Sequence, residues 1–358
     1  MSIKALLIDL SLPMKDENAH LLQELSKWLQ GYTQQDVSPQ TLQQQVSLTY
    51  SSEIQQRTTV IYDRITALLA STIDGDLASL ERFGEVYRDR LEQQLDDYLS
   101  HPKIQELLSS IPSVLIAVNP LLPFHLKNLH TPPIMYIGDG KNSHYLKPSV
   151  YYYAEILARS TLEPDEVLMV CYDSLSLGVF NQLGIATWNM LNPKQWEEST
   201  DMNLHPDGVL AQLEANVLAL YGLLNHVEYG EWHRTLIPNE WTIAQNIAHL
   251  VEKEMFNYRP LILKVLQDAD AFITEHTTSL HPPIDSFYQV NPLALVDHFL
   301  LERRVSMGLL HTLDDDLWER TFQHSVFGTT TLIEMVYFIA QHDRMHLRQI
   351  CQLLQICM

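Results

Sequence analysis

Apolar residues in the first half of the chain come in short runs at wide spacing: Ala5–Ile8, Val114–Val118, Ile134–Ile137, Val167–Cys171 and Ile185–Trp188. Short apolar runs bounded by turn residues predict buried strands. Longer helical patterns fill the gaps over Thr41–Ala70, Asp76–Tyr98 and Ser149–Ser160. Strands alternating with helices predict an α/β unit on a mainly parallel sheet, over residues 1–195. The helices before Ser113 are set aside as an inserted cap, about 20–105. A polar stretch, Asn192–Pro206, reads as a linker. Beyond it the pattern is wholly helical, and residues 206–358 predict an all-α four-helix bundle. Its helices lie near 207–229, 242–267, 292–314 and 331–355. Thr242–Gln245 and Thr331–Glu334 both read T-x-x-[EQ], a spacing that lets hydroxyl and long side chain satisfy each other's free backbone donors at a helix start. The connection 268–291, with Pro282 and Pro283, is long for an up-down bundle and suggests a crossover.

Composition narrows the function. A length of 358 residues suits two domains. Lys+Arg 23 against Asp+Glu 44 leaves a net charge of −21, which argues against a nucleic-acid or anionic-membrane surface. Neither GxGxxG nor GxxxxGK[ST] occurs, so dinucleotide and P-loop chemistry are set aside. Cys171, Cys351 and Cys357 form neither a disulfide framework nor a CxxC knuckle, and the last two read as buried helix cysteines. The N-terminus lacks the shape of a signal peptide, and the apolar stretch Ser113–Phe124 is too short to span a bilayer. The expected setting is cytoplasmic, with a small-molecule substrate, no nucleic acid, no membrane, and a homodimer as the oligomeric option.

Histidines are skewed: of 16, five precede residue 204 and 11 follow it. In Gln341-His342-Asp343-Arg344-Met345-His346 the two histidines stand four apart, on one helix face, where they can share a cation. They continue the apolar stripe Met335, Ile339, His342, His346, Ile350, Leu353, which should face the bundle interior. Core-edge histidines with ordinary hydrogen bonds are the competing reading, and a third ligand is needed to overturn it. His249 on the second helix is the candidate. On a helical wheel it lies nearly opposite Ile243, Ile247, Leu250 and Val251, with Thr242, Asn246 and Lys253, so it can be a ligand only if that face turns to the site. His298 on the third helix is the reserve. Imidazoles suit Zn²⁺ or Ni²⁺, and protons should compete for them below about pH 6.5.

Residues from about 207 to 356 resemble the DinB-like (YfiT-like) metalloproteins. The likeness rests on Glu240-Trp241-Thr242-Ile243 with Ile247-Ala248-His249-Leu250, on Arg303, and on Phe327-Gly328 through Thr331-Leu332 before His342, Arg344, His346, Gln349 and Ile350. The resemblance implies a divalent metal, commonly zinc or nickel, on His249, His342 and His346. Three imidazoles with an open position resemble a catalytic site, where a bound water's pKa would fall toward ~7. Arg344 and Arg348 are candidates for orienting an anionic substrate, although outward-facing arginines are the commoner outcome. Asp343 reads as a solvated carboxylate or a partner for a histidine N–H.

The first half resembles the haloacid dehalogenase-like (HAD-like) superfamily. Lys4-Ala5-Leu6-Leu7-Ile8-Asp9-Leu10-Ser11-Leu12 stands where that superfamily has hhhDxDG, which makes Asp9 the nucleophile and puts Ser11 in place of the general acid. Val118 stands where Ser or Thr is expected. Lys147 resembles the motif lysine, with Lys141 as a rival. Cys171 and Ser176 fall at the two Mg²⁺-binding acids, with Asp173 a substitute only after a register shift. These changes imply a scaffold that has lost its chemistry.

The first reading is therefore a metal-dependent hydrolase or thiol-dependent transferase in the bundle, fused to an inactive HAD-like domain. One alternative is a hydrolase built on Asp9, with the bundle as a binding module. The other is a non-catalytic scaffold that binds metal or ligand.

Overall fold

The computed structural model describes residues 3–10, 17–33, 38–40, 77–111, 113–120, 133–139, 142–145, 147–171, 177–189, 196–197, 204–224, 227–228, 230–235, 237–238, 240–268, 270–274 and 291–354. The chain divides into two compact units, Met1–Met202 and Asn203–Met358.

The first unit is built on a sheet. Strands β1 (Ala5–Asp9), β2 (Ser113–Ala117), β3 (Ile134–Gly138), β4 (Val167–Cys171) and β5 (Ala186–Asn189) are parallel, and β6 (Trp196–Glu197) is antiparallel to β5. The order is β3-β2-β1-β4-β5-β6, and each of the first five strands falls on one of the apolar runs of the sequence. All five residues of β1 and of β4 are buried, as expected of central strands covered on both faces. The helices are α1 (Glu17–Thr33), α2 (Leu77–Ser100), α3 (Pro102–Leu108), α4 (Val150–Ser160) and α5 (Leu177–Leu183). Leu21, Leu22 and Leu25 of α1 and Leu91, Leu95 and Tyr98 of α2 share one core with Leu6 and Ile8 of β1. The expected cap is thus corrected for these residues. The stripe Leu91, Leu95, Tyr98 lays α2 on the sheet, where burying it is favourable. The expected helix Thr41–Ala70 lies outside the described residues.

The second unit holds α6 (Pro206–Leu224), α7 (Ile243–Lys253), α8 (Arg259–Gln267), α9 (Pro292–Leu310), α10 (Asp315–Trp318) and α11 (Leu332–Leu354). Helix α11 packs against α6 and α7, and α7 against α9. Thr242 caps α7 through the reciprocal bonds with Gln245 that its spacing predicted. Thr331 and Glu334 make the same exchange at the start of α11.

Two features depart from the wholly helical expectation. A small sheet, β7 (Phe272–Ile273), β8 (Thr321–His324) and β9 (Gly328–Thr331), joins the bundle in the order β7-β8-β9. Phe322 and His324 point inward while Thr321 and Gln323 face out, and Gly328, at φ 74°, supplies the left-handed turn before β9. The predicted helix 242–267 is also not uniform: Glu254–Tyr258 forms a π-helical turn between α7 and α8. Pro260 follows it, and in a regular α-helix its ring would collide with the carbonyl of Phe256. Single π turns carry such interruptions without ending the helix. Among the described residues no helix is long and apolar enough to cross a membrane.

Candidate metal centre

Helix α7 is buried on both its faces. Ile243, Ile247 and Val251 enter the core, and so do Asn246, His249 and Lys253 from the polar side. The face that the wheel set opposite the apolar stripe therefore turns inward, and the condition on His249 is met. His342 and His346 approach it from α11. His249 Nε2 lies 3.4 Å from His342 Nε2, and His346 Nε2 lies 3.3 Å from His342 Nε2. The three form one group of ligand atoms able to hold a metal ion.

The contact pattern fits a cation. His346 donates from Nδ1 to Asn246 Oδ1 at 2.8 Å, which leaves its Nε2 lone pair pointing at the other two rings. His342 Nδ1 is buried without a hydrogen-bond partner. One proton on His342 Nε2 could bridge only one of the two short gaps. Tetrahedral zinc, at about 2.0–2.1 Å from each imidazole nitrogen, places nitrogens about 3.3–3.4 Å apart. The observed spacing is that spacing.

Electrostatics agrees. Burial, then the neighbouring His346 and Lys253, pushes His249 down to about 3. Burial, His346 and His249 push His342 to about 2. Burial takes His346 to about 4, opposed by Gln349 and assisted by Lys253. All three rings are neutral at pH 7, as ligands must be. Proton competition, expected from about pH 6.5, moves correspondingly lower. Trp241 stands edge-on to His249 at 4.9 Å and stacks on His346 at 5.9 Å, so an indole walls one side.

The triad opens on a cavity of about 620 Å³ whose lining includes Phe256, Tyr258, Phe327, Phe338 and Met345. His324 also lines it, and its Nδ1 accepts the backbone N–H groups of Val326 and Phe327, which puts its proton on Nε2. Behind the triad, buried Arg303 of α9 clamps two carboxylates. It donates to Glu254 Oε2 from Nε at 3.0 Å and from Nη2 at 2.8 Å, to Asp343 Oδ1 at 3.0 Å, and to Asp343 Oδ2. Burial raises the Asp343 pKa, with Arg303 opposing. Asp343 is thus no solvated carboxylate; it is spoken for by Arg303 rather than by a histidine.

Other expected residues fall elsewhere. Arg344 is fully buried and donates to Gln212 of α6 at 2.9 Å, away from the cavity lining. It is therefore neither outward-facing nor turned toward a substrate beside the triad. Arg348 is half-buried and likewise not in the lining. His298 lies 3.4 Å from Glu302 on the outer part of α9, apart from the triad. Cys351 is fully buried on α11, and Cys357 lies outside the described residues. Asn246, Lys253 and Glu254 were not singled out from sequence, although the first two stood beside His249 on its polar face.

In the first unit Asp9 ends β1 and is buried. Lys147 donates to Asp9 Oδ1 and, at 3.1 Å, to the Leu10 carbonyl, while the Tyr153 hydroxyl donates to Oδ2 at 2.9 Å. Val118 and Cys171 are both buried nearby strand ends, and neither offers an oxygen side chain. Ser11, Lys141, Asp173 and Ser176 lie outside the described residues.

Residues 212–350 match the DinB superfamily. YfiT from Bacillus subtilis, described as a probable metal-dependent hydrolase with an unusual four-helix bundle topology, is a similar solved structure. It shares 18% identity over 45% of this chain and 91% of its own, with a TM-score of 0.39. No curated protein matches the chain.

Proposed function

We propose that the second unit is a metal-dependent enzyme acting on a small molecule, a hydrolase or a thiol-dependent transferase, with zinc or nickel on His249, His342 and His346. The observation that carries this is the convergence of three imidazoles whose ligand atoms lie within 4.8 Å of one another, two of the pairs at zinc-like spacing, with Asn246 fixing the tautomer of His346. When bound, such an ion supplies Lewis acidity at a position left open toward the cavity. The chain's own groups do the rest. Burial keeps the imidazoles neutral, Trp241 walls one flank of the triad, and His324 is part of the cavity lining. Among the described residues no cysteine lines the cavity. The test is elemental analysis of protein purified without a histidine tag. One zinc or nickel per chain is expected, and His346→Ala should lose most of it while the bundle stays folded. Metal-free wild type that also fails to take up added Zn²⁺ would end this reading.

A second reading has its own observation. Asp9 at the end of a central parallel strand, paired with Lys147, supports a HAD-like scaffold for the first unit. We read it as inactive, since Val118 and Cys171 replace oxygen donors and Asp9 alone is too poor a Mg²⁺ site. Para-nitrophenyl phosphate should be turned over negligibly with or without Mg²⁺. Robust Mg²⁺-dependent turnover abolished by Asp9→Asn would restore the hydrolase alternative.

A further inference from the structure

Helix α9 is apolar on two sides. Leu295, Val296, Phe299, Leu300, Met307 and Leu310 turn into the bundle and are buried. Opposite them, Leu293, Leu301 and Val305 are each more than half exposed. Ala294, Asp297, Arg304 and Gly308 share that outer face and are exposed as well. At about 100° per residue, the seven fall within an arc of about 120°. A surface helix ordinarily keeps that side polar. Large apolar side chains gathered there mark a surface that meets another one.

Gly308 sharpens this. Glycine inside a helix is unfavourable relative to alanine, and one use that offsets the cost is close approach of another backbone. Within its own chain a Cβ at Gly308 would meet nothing within 4 Å. The room it leaves is therefore on the outside of the bundle. Read from the N-terminal end, the centre of the face runs Ala294, Asp297, Leu301, Arg304, Gly308: small, acidic, apolar, basic, small. Turned end for end, that order is its own complement. A second α9 lying antiparallel would set Ala294 against the partner's Gly308 and Asp297 against the partner's Arg304, with Leu301 at the axis. Parallel helices would instead set each charge against its like. The two charges also make the face neutral in a chain of net charge −21, so two copies can approach there.

We propose that the outer face of α9 is an interface with a second copy of this chain, the two α9 helices pairing antiparallel about a two-fold axis at Leu301. Two-fold pairing uses the same patch on both subunits, which requires a self-complementary face of this kind. The small residues let the helices come close, and that buries Leu293 and Val305 on either side of Leu301. Seven residues a side are fewer than the roughly 20–30 of a standard interface, so the dimer is a reversible one. The proposal does not depend on the metal reading.

Sedimentation equilibrium of the full chain, from micromolar to millimolar, tests this. The mass should rise with concentration from 41.3 kDa toward twice that value. Leu301→Asp sets two carboxylates at the axis and should raise the dissociation constant about tenfold or more. Asp297→Arg and Arg304→Asp should each weaken pairing in the same way, and the two together should restore it. Gly308→Leu should weaken pairing about tenfold and leave the melting of the bundle unchanged or higher, because the chain itself has room for the side chain. That variant carries the test should a charged one fold poorly. A wild-type chain that stays at 41.3 kDa throughout would overturn the proposal. So would dimers that survive both Leu301→Asp and Gly308→Leu, since their interface lies elsewhere. A double exchange that fails to restore pairing would overturn the antiparallel register.

Discussion

Two buried polar centres in this chain are solved in opposite ways. At the end of β1 unlike groups meet: the Asp9 carboxylate receives an ammonium on one oxygen and a tyrosine hydroxyl on the other. Between α7 and α11 like groups meet, with Nε2 facing Nε2 at 3.3 and 3.4 Å and a buried Nδ1 left without a partner. The first arrangement is complete in itself. The second leaves like atoms facing one another, an arrangement that a cation at the centre would satisfy. Burial therefore distinguishes structure from function through the sign of what is brought together, not through how deeply it lies.

The largest expected effect comes from breaking the clamp that holds the open centre in place. Arg303→Met strands the carboxylates of Glu254 and Asp343, and removing one partner of a buried ion pair costs about 3–5 kcal/mol. Denaturant unfolding of the second unit should show a loss of that order. A loss under 1 kcal/mol would mean that the clamp is dispensable.

Asp9→Asn probes the closed centre. It leaves the Lys147 ammonium buried without its counter-charge, so stability of the first unit should fall by a similar or slightly smaller amount, about 3 kcal/mol. Zinc content should not change. Unaltered melting of Asp9→Asn would erase the contrast between the two centres.

Asn246→Ala sharpens the comparison at the open centre. It removes the acceptor that fixes the His346 tautomer without touching a ligand, and such supporting contacts are typically worth about 10–100-fold in metal affinity. Competition with a chelator of known affinity reads that change. Asn246→Asp should retain most of the binding, since the acceptor oxygen remains.

A separate test of the open centre is pH dependence, measured without metal. His346, His249 and His342 hold protons in the fold only near pH 4, 3 and 2, against 6.5 ordinarily. Between about pH 6.5 and 4 the unfolded chain binds more protons than the folded one, so stability is full above that window and falls as pH drops through it. Glu155 adds a second slope at lower pH. Burial alone would raise its pKa, but His144 and Arg159 hold it at about 2, so its contribution is lost as pH falls from 4.5 toward 2. Melting of the second unit that stays flat from pH 7 to 5 would contradict the depressed histidines.

Much of this was legible along the chain. Five apolar runs became five parallel strands, because a strand covered on both faces must be continuously apolar and little else is. The two T-x-x-[EQ] starts became two reciprocal caps, since that exchange needs only local geometry. The i, i+4 histidines shared a face for the same reason. What a single helix cannot contain is which partner its polar side will meet. The wheel placed His249, Asn246 and Lys253 together but left open whether that side met water or α11, and the packing of α7 against α9 and α11 closed it. Asp343 and Arg344 read as surface charges until Arg303 and Gln212, 40 and 132 residues away, supplied their partners. The π turn and the β7–β9 sheet escaped for a related reason: one answers a proline within a helix that tertiary contacts keep going, and the other pairs a two-residue strand with a hairpin nearly 50 residues on. Period and spacing decide what each segment offers; only packing decides which offers meet, because desolvation makes those meetings costly unless the groups match.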